Sequence, residues 1–315
     1  MTIDGDTIKW LKDRFKKRVK FDEIMAKHTS LKVGGPADAF IMARSISEVK
    51  DLIKFAFKRK IPYLLVGGGS NLLVKDVGIK GMVISLSPFY DSITVEQRDE
   101  KGAVVLACAG ARTQRLCRFA MEKGLGGFNF ALGIPGTIGG AVMMNAGTYM
   151  GSMSDVLNAI SIMLPSGDIK RIEKEDLRFS YRHLSIKGRE DEEDRDSVIL
   201  LSAYLYLSSL DTNSIKKESK MLIRQRKGKQ PTAHSAGCFF KNPGFDKSAG
   251  ELIELAGLKG KRVGDAQVSS KHGNFIVNRG NARAKDVLQL MTHIQETILD
   301  QFNLKLEPEV IILGR

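Results

Sequence analysis

The sequence predicts an α+β protein of two domains. Three observations carry that prediction. Short apolar strand segments alternate with amphipathic helical segments from residue 39 to residue 207. A basic helical segment at 213–227 then leads into a second group of helices and short strands. A chain of 315 residues is long enough for two cores. The expected division is an N-terminal helical extension over 1–28, a first domain over 29–211 and a second over 212–315.

Taken in order, residues 7–20 predict a basic helix around Ile8, Trp10, Leu11 and Phe15. A strand follows at 39–43. Ser47 is the expected N-cap of a helix reaching Lys60, with Val49, Leu52, Ile53 and Ala56 turned inward and a cationic end that suits the dipole. A strand at 62–66 runs into Gly67-Gly68-Gly69-Ser70-Asn71-Leu72. Strands are expected at 82–86 and 103–108, and a helix at 113–123. Pro165-Ser166-Gly167 marks a hairpin between 161–164 and 168–172. Residues 187–196 are a charge run that reads as a solvated loop, and 198–207 reads as a strand. In the second domain, Ser248 and Glu251 form a capping box and Gly257 closes that helix. A strand at 274–278, an amphipathic helix at 286–302 and a terminal strand at 306–313 complete the chain.

The segment from Gly124 to Gly147 fits none of these patterns. It is apolar without a helical or alternating period, and Pro135 opposes a helix interior or central strand. Its glycines, among them Gly133, Gly136, Gly139 and Gly140, allow bare backbone to approach a ligand. Amides in such a loop can form a nest for an anion, typically phosphate. The other reading is a glycine-rich structural loop. The triplet at 67–69 lacks the G-K-[ST] of a nucleoside triphosphatase loop.

Composition narrows the classes. The net charge of +13 fits nucleic acid or anionic small molecules equally. The basic residues are dispersed and form no nucleic-acid-binding motif, so no nucleic-acid partner is expected. Cys108, Cys117 and Cys238 favour neither a disulfide framework nor a zinc site, and the five histidines are scattered, so no metal is expected. No apolar run approaches the roughly 20 residues of a membrane span. No signal-peptide pattern is present, and a cytoplasmic protein is expected.

Three side chains stand out chemically. Arg182 follows an aromatic pair, and its fork suits a carboxylate or enolate; a structural salt bridge is the other reading. Cys238 lies in a small-residue turn before two phenylalanines, as a thiol acid or as an apolar core residue. Lys241 and Asn242 follow it. Glu309 interrupts an apolar terminal strand, where burial without a partner is costly. By the period of two it shares a face with Glu307, so the alternative is an edge strand with both carboxylates wet.

Together, GGGSN (67–71), GIPGTIGGAVMMNAG (133–147), FSYRHL (179–184), SAGCFFKNP (235–243) and LEPEV (306–310) resemble the UDP-N-acetylenolpyruvoylglucosamine reductase family. The resemblance covers nearly the whole chain, in order. It implies an FAD domain of the vanillyl-alcohol-oxidase type, with two α+β subdomains, and a C-terminal α+β substrate domain. It implies NADPH-dependent reduction of the enolpyruvyl ether of a UDP-amino sugar to a lactyl ether, a step of bacterial peptidoglycan precursor synthesis.

The residues this implies for FAD are Gly67, Gly68, Gly69, Ser70, Asn71 and Leu72, with Gly133, Ile134, Pro135, Gly136, Thr137, Gly139, Gly140 and Ala141. Arg182 and Glu309 would flank the substrate carboxylate, Cys238 would donate the proton, and Lys241 and Asn242 would lie near the substrate. Many relatives carry serine where this chain has Cys238. The loop from Ser185 to Asp196 has no tyrosine, so the chain resembles the family's shorter variety and no lid tyrosine is expected there. The glycine loops hold no histidine or cysteine for covalent attachment, so the FAD is expected to be non-covalent. The protein is expected to be a monomer. The competing reading is an FAD oxidase or dehydrogenase of the same fold acting on an alcohol or hydroxy acid.

Overall fold

The computed structural model describes residues 3–86, 88–188, 198–244 and 246–314. Most of the charge run at 187–196 lies outside them. The first sheet has four strands in the order Val19–Ile24, Pro36–Met42, Ile79–Ser85 and Tyr63–Val66. The first pair is antiparallel and the other two are parallel. Parallel neighbours need a crossover, and the helix Ile46–Arg59 supplies one. It buries Val49, Leu52, Ile53 and Ala56, as expected, but its N-cap is Ser45, whose side chain accepts from Glu48 N. The N-terminal helix stops at Phe15, not at residue 20. The next residues form the edge strand Val19–Ile24, and Trp10 stacks on Phe55 of the crossover helix at 3.8 Å. Part of the expected N-terminal extension is thus an edge strand of the first sheet.

The second sheet is antiparallel, in the order Ile169–Glu173, Leu157–Met163, Ile199–Ser209, Gly102–Cys108 and Ile93–Arg98. The hairpin at Gly167 is present, with the glycine at φ 83°. The edge strand Ile93–Arg98 is largely exposed and polar, so it carries little sequence signal. The two sheets and the helices Thr113–Glu122 and Ile138–Met143 enclose one large core.

The C-terminal part has a four-stranded sheet, His234–Ser235, Ile276–Asn278, Ala266–Val268 and Arg262–Val263, with the helices Ala249–Leu255 and Ala284–Phe302. Val287, Leu290, Ile294 and Ile298 form the buried stripe of the longer helix. Leu31, Val33 and Leu73 from the first part complete this core. The chain end then crosses back, because Ile311–Leu313 pairs in parallel with Leu72–Val74. That pairing sets the terminal segment beside the 67–71 glycine turn and brings the two parts together at one site.

Candidate active site

Arg182 is positioned by a hairpin. Leu177–Ser180 pairs with His183–Ile186, and the pair Ser180–His183 leaves Tyr181 and Arg182 as the turn. Arg182 has φ +58°, a left-handed conformation that costs an L-residue roughly 1–2 kcal/mol. Its Nε donates to Glu309 Oε1 at 2.7 Å. Tyr181 donates its hydroxyl to Glu309 Oε2 at 3.4 Å, and the guanidinium lies 4.8 Å from the Tyr181 ring centroid. Burial, and after it the Glu309 charge, raises the Tyr181 hydroxyl above the usual tyrosine range. Asn145, at the end of the glycine segment, donates to Ser180 O at 3.1 Å and so fixes the hairpin.

The segments that carry Glu309 and Cys238 run antiparallel, side by side. Glu309 N donates to Phe239 O at 2.9 Å, Lys241 N donates to Glu307 O at 2.8 Å, and Phe240 bridges Pro308. Buried Asn274 grips the Cys238 segment from behind, donating to Phe240 O at 2.8 Å and accepting from Phe240 N at 2.9 Å. The expected strand at 306–313 begins only at Ile311. Glu307 and Glu309 therefore do not share an environment: the Glu307 side chain is 67% exposed and pairs with Lys241 at 3.2 Å, whereas that of Glu309 is 12% exposed. The reading with both carboxylates wet is excluded. Asn242 Oδ1 accepts from Ala249 N at 3.1 Å and helps cap the next helix.

The Cys238 thiol is pushed up to about 11, chiefly by burial and then by the Glu309 charge, against the pull of Arg182 and Arg226. It holds its proton at neutral pH. Site-resolved alkylation of Cys238 at pH 8 should run on the order of a hundredfold slower than that of free cysteine, because the thiolate is the reactive form. Alkylation at the free-cysteine rate would contradict this placement.

Arg226 is a site residue that the sequence reading passed over. Its Nη2 donates to Phe130 O at 3.2 Å, and its Cδ packs against Gly133. It meets no carboxylate among the described residues, and burial lowers its pKa from the usual arginine range. The signal was present: Ile215, Ser219 and Leu222 are the buried stripe of the helix Thr212–Lys229, and Arg226 continues that spacing. Tyr149 also borders the site, exposed, with its hydroxyl on Gln225 Oε1 at 3.2 Å. It comes from the end of the glycine segment, not from the loop after Arg182, which carries no tyrosine. Residues 189–197 of that loop lie outside the described residues.

The two glycine segments face each other. A Cβ on Gly68 would stand 2.7 Å from Gly136 Cα, and one on Gly67 would stand 2.3 Å from Thr137 Oγ1. Ser70 donates to Pro135 O at 3.2 Å. The supposedly irregular segment holds a short helix, Ile138–Met143, begun by Thr137. The amides of Ile138 and Gly139 are already used, on Ala111 O at 2.8 Å and Ala109 O at 2.9 Å. A Cβ on Gly139 would stand 2.9 Å from Ala109 Cβ, so packing alone already disfavours a side chain there. Asn71 spends its side-chain amide on Glu309 O at 3.0 Å, and Leu72 belongs to a strand.

What remains fits a diphosphate. Among the described residues, the amides of Gly69, Ser70, Gly136 and Thr137 meet no protein acceptor. Thr137 Oγ1 is buried without a partner. These unpartnered donors on two facing glycine segments suit the FAD diphosphate. Gly140 is exposed, with only Thr137 Oγ1 at 3.9 Å from its Cβ position. Gly140→Leu should therefore leave the apoprotein's Tm unchanged or higher, since glycine is a poor helix former, while the purified protein loses its flavin. Full flavin occupancy in that variant would remove Gly140 from the cofactor site.

Known proteins resemble this chain in sequence and in fold. The family model described as the UDP-N-acetylenolpyruvoylglucosamine reductase C-terminal domain matches residues 230–313, and one described as an FAD binding domain matches residues 37–173. The UDP-N-acetylenolpyruvoylglucosamine reductase of Desulfosudis oleivorans is 44% identical over 314 residues, 99% of this chain and 100% of that protein. That of Clostridium tetani is 42% identical over 94% of this chain and 92% of its own length. The crystal structure of the Thermus caldophilus enzyme superposes with a TM-score of 0.78 at 38% identity, covering 94% of this chain and 99% of that one. With identity at that level over nearly the full length, the chain belongs to the UDP-N-acetylenolpyruvoylglucosamine reductase family.

Proposed function

We propose that Arg182, Glu309 and Cys238 together carry the family reaction, the reduction of the enolpyruvyl ether of UDP-N-acetylglucosamine-enolpyruvate to UDP-N-acetylmuramate. The observation that carries this reading is the Arg182–Glu309 pair at 2.7 Å, assembled from distant segments beside a protonated thiol. Bound FAD, with NADPH as donor, would supply the hydride chemistry.

The chain's own groups do the rest. Glu309 engages Arg182 through Nε, and among the described residues the two terminal nitrogens meet no other acceptor. They form a fork for the substrate carboxylate, where negative charge grows as the double bond is reduced. Cys238 holds the proton that the α carbon needs. Arg182 and Arg226 favour the thiolate left behind, and so offset part of the cost of burial. Lys241 and Asn242 are proposed substrate contacts at the edge of the site. Their support is position: Lys241 bonds to the Glu307–Glu309 segment, and the Asn242 backbone interacts with the Tyr181 hydroxyl.

The same reading assigns 29–211 to the FAD portion and 212–315 to the substrate portion, supported by the C-terminal match at 230–313. The helix Thr212–Lys229 nevertheless packs Leu222 into the first core. We also propose a cytoplasmic monomer. NADPH and nucleotide sugars are soluble, and no helix of the described residues is long and apolar enough to cross a membrane. The test is NADPH oxidation without oxygen. It should require the enolpyruvyl UDP-sugar, and a protein that instead consumes oxygen with alcohols would overturn the assignment in favour of an oxidase.

A further inference from the structure

The two glycine segments are covered by a cation that neither the motif set nor the proposed chemistry uses. Arg112 precedes the helix Thr113–Glu122 and pairs in an antiparallel bridge with Thr137. The bridge is closed by Thr113 N on Gly136 O at 3.2 Å and Ile138 N on Ala111 O at 2.8 Å. Arg112 is thereby fixed by its backbone to the residue that begins the glycine-rich helix. Its side chain then turns onto the other glycine segment, with Nη1 at 3.2 Å from the position a Cβ on Gly68 would take. Thr137 Oγ1 faces the neighbouring glycine, 2.3 Å from the Cβ position of Gly67, and is buried without a partner.

Arg112 and Thr137 thus face adjacent glycines of one turn. Among the described residues the guanidinium meets no carboxylate and no carbonyl oxygen within hydrogen-bonding distance. Several donors around the Gly68 position lack partners: the guanidinium, the Thr137 hydroxyl and the amides of Gly69, Ser70, Gly136 and Thr137. A cation resting on bare backbone beside unused donors lacks only an acceptor-rich anion. A guanidinium is the side chain that can bind two phosphate oxygens at once.

We propose that Arg112 is a cofactor-binding residue that holds the diphosphate of FAD against the Gly67–Gly69 turn. This rests on the FAD reading above and adds a side-chain cation to a site otherwise made of backbone amides and one hydroxyl. The adenine dinucleotide is the occupant favoured over a mononucleotide, because donors converge from both glycine segments and a diphosphate offers oxygens to both.

The test is titration of apoprotein with FAD and with FMN, followed by flavin fluorescence at several salt concentrations. Charge-assisted contacts to phosphate are worth a factor of about ten or more in affinity. Arg112→Ala should raise the FAD Kd about tenfold at low salt and flatten its salt dependence, with a smaller change for FMN. Arg112→Lys should fall between, since it keeps the charge and loses the fork. The spectrum of the bound flavin and the apoprotein's Tm should not move, because the side chain is exposed and its backbone bridge remains. Should Arg112→Ala melt lower, Arg112→Gln keeps the aliphatic stem and a polar end without the charge, and should show the same loss of FAD affinity. Equal FAD Kd and equal salt slopes in wild type and both neutral variants would overturn the role of Arg112. Wild-type apoprotein that takes up no FAD at all would instead overturn the flavin reading beneath it.

Discussion

Replacing Glu309 by glutamine, or Arg182 by alanine, should lower kcat and kcat/KM together by about 10²–10³-fold, the usual cost of one preorganised contact to developing charge. The fork of Arg182 gains most as charge grows on the substrate carboxylate, so its loss falls on the transition state more than on binding. Glu309 acts on that fork, since its 2.7 Å bond to Nε fixes the guanidinium plane. Glutamine can still accept from Nε, but it removes the charge that orients the cation. The two losses should not add, because the residues form one hydrogen-bonded unit. In the double variant the fall should be close to that of the worse single variant. Flavin reduction by NADPH should be nearly unchanged in all three. A Glu309→Gln protein that reduces the enolpyruvyl sugar at the parent rate would remove the pair from the mechanism.

Cys238→Ala should lose most of the 10²–10⁴-fold that a positioned general acid contributes, and only in the half-reaction with the UDP-sugar. Cys238→Ser should stay within about tenfold, because a hydroxyl of similar shape still carries a proton. The thiol is pushed up to about 11, so the acid form is present throughout neutral pH. The sign follows from its role as donor: rate is held below that value and falls as pH rises through it, and the fall should vanish in Cys238→Ser. If Cys238→Ala only lowered Tm, with flavin reoxidation by substrate unchanged, the thiol would be a core residue and the donor would lie elsewhere.

Much of this site was legible in the sequence because its parts obey local rules. The helix 46–59 shows its buried stripe, the Ser248–Glu251 box caps its helix, and the glycine runs mark bare backbone. What escaped depends on pairing between distant segments. Val19 and Lys20 read as the end of a basic helix, and 21–24 as no element, until the partner strand Pro36–Met42 is known. Leu72–Val74 is too short to show any period, and exists as a strand because the chain end lies against it. The Gly139-Gly140 pair argues against a helix, yet the contact of Ala109 with Gly139 holds one there. Arg226 was hidden by its company, since the surrounding lysines and arginines made the whole helix look solvated. Glu309 was found as an anomaly in an apolar run, whereas its separation from Glu307 required the bridge between Phe240 and Pro308.

The most direct test of the central claim is the fate of hydrogen in the product. The wild-type protein is given NADPH and UDP-N-acetylglucosamine-enolpyruvate in D₂O, without oxygen, and the product is read by NMR. The account predicts a lactyl ether that carries one solvent deuterium on the α carbon, delivered by Cys238. The contradicting result is a flavin that NADPH reduces and only oxygen reoxidises, with the enolpyruvyl ether recovered intact.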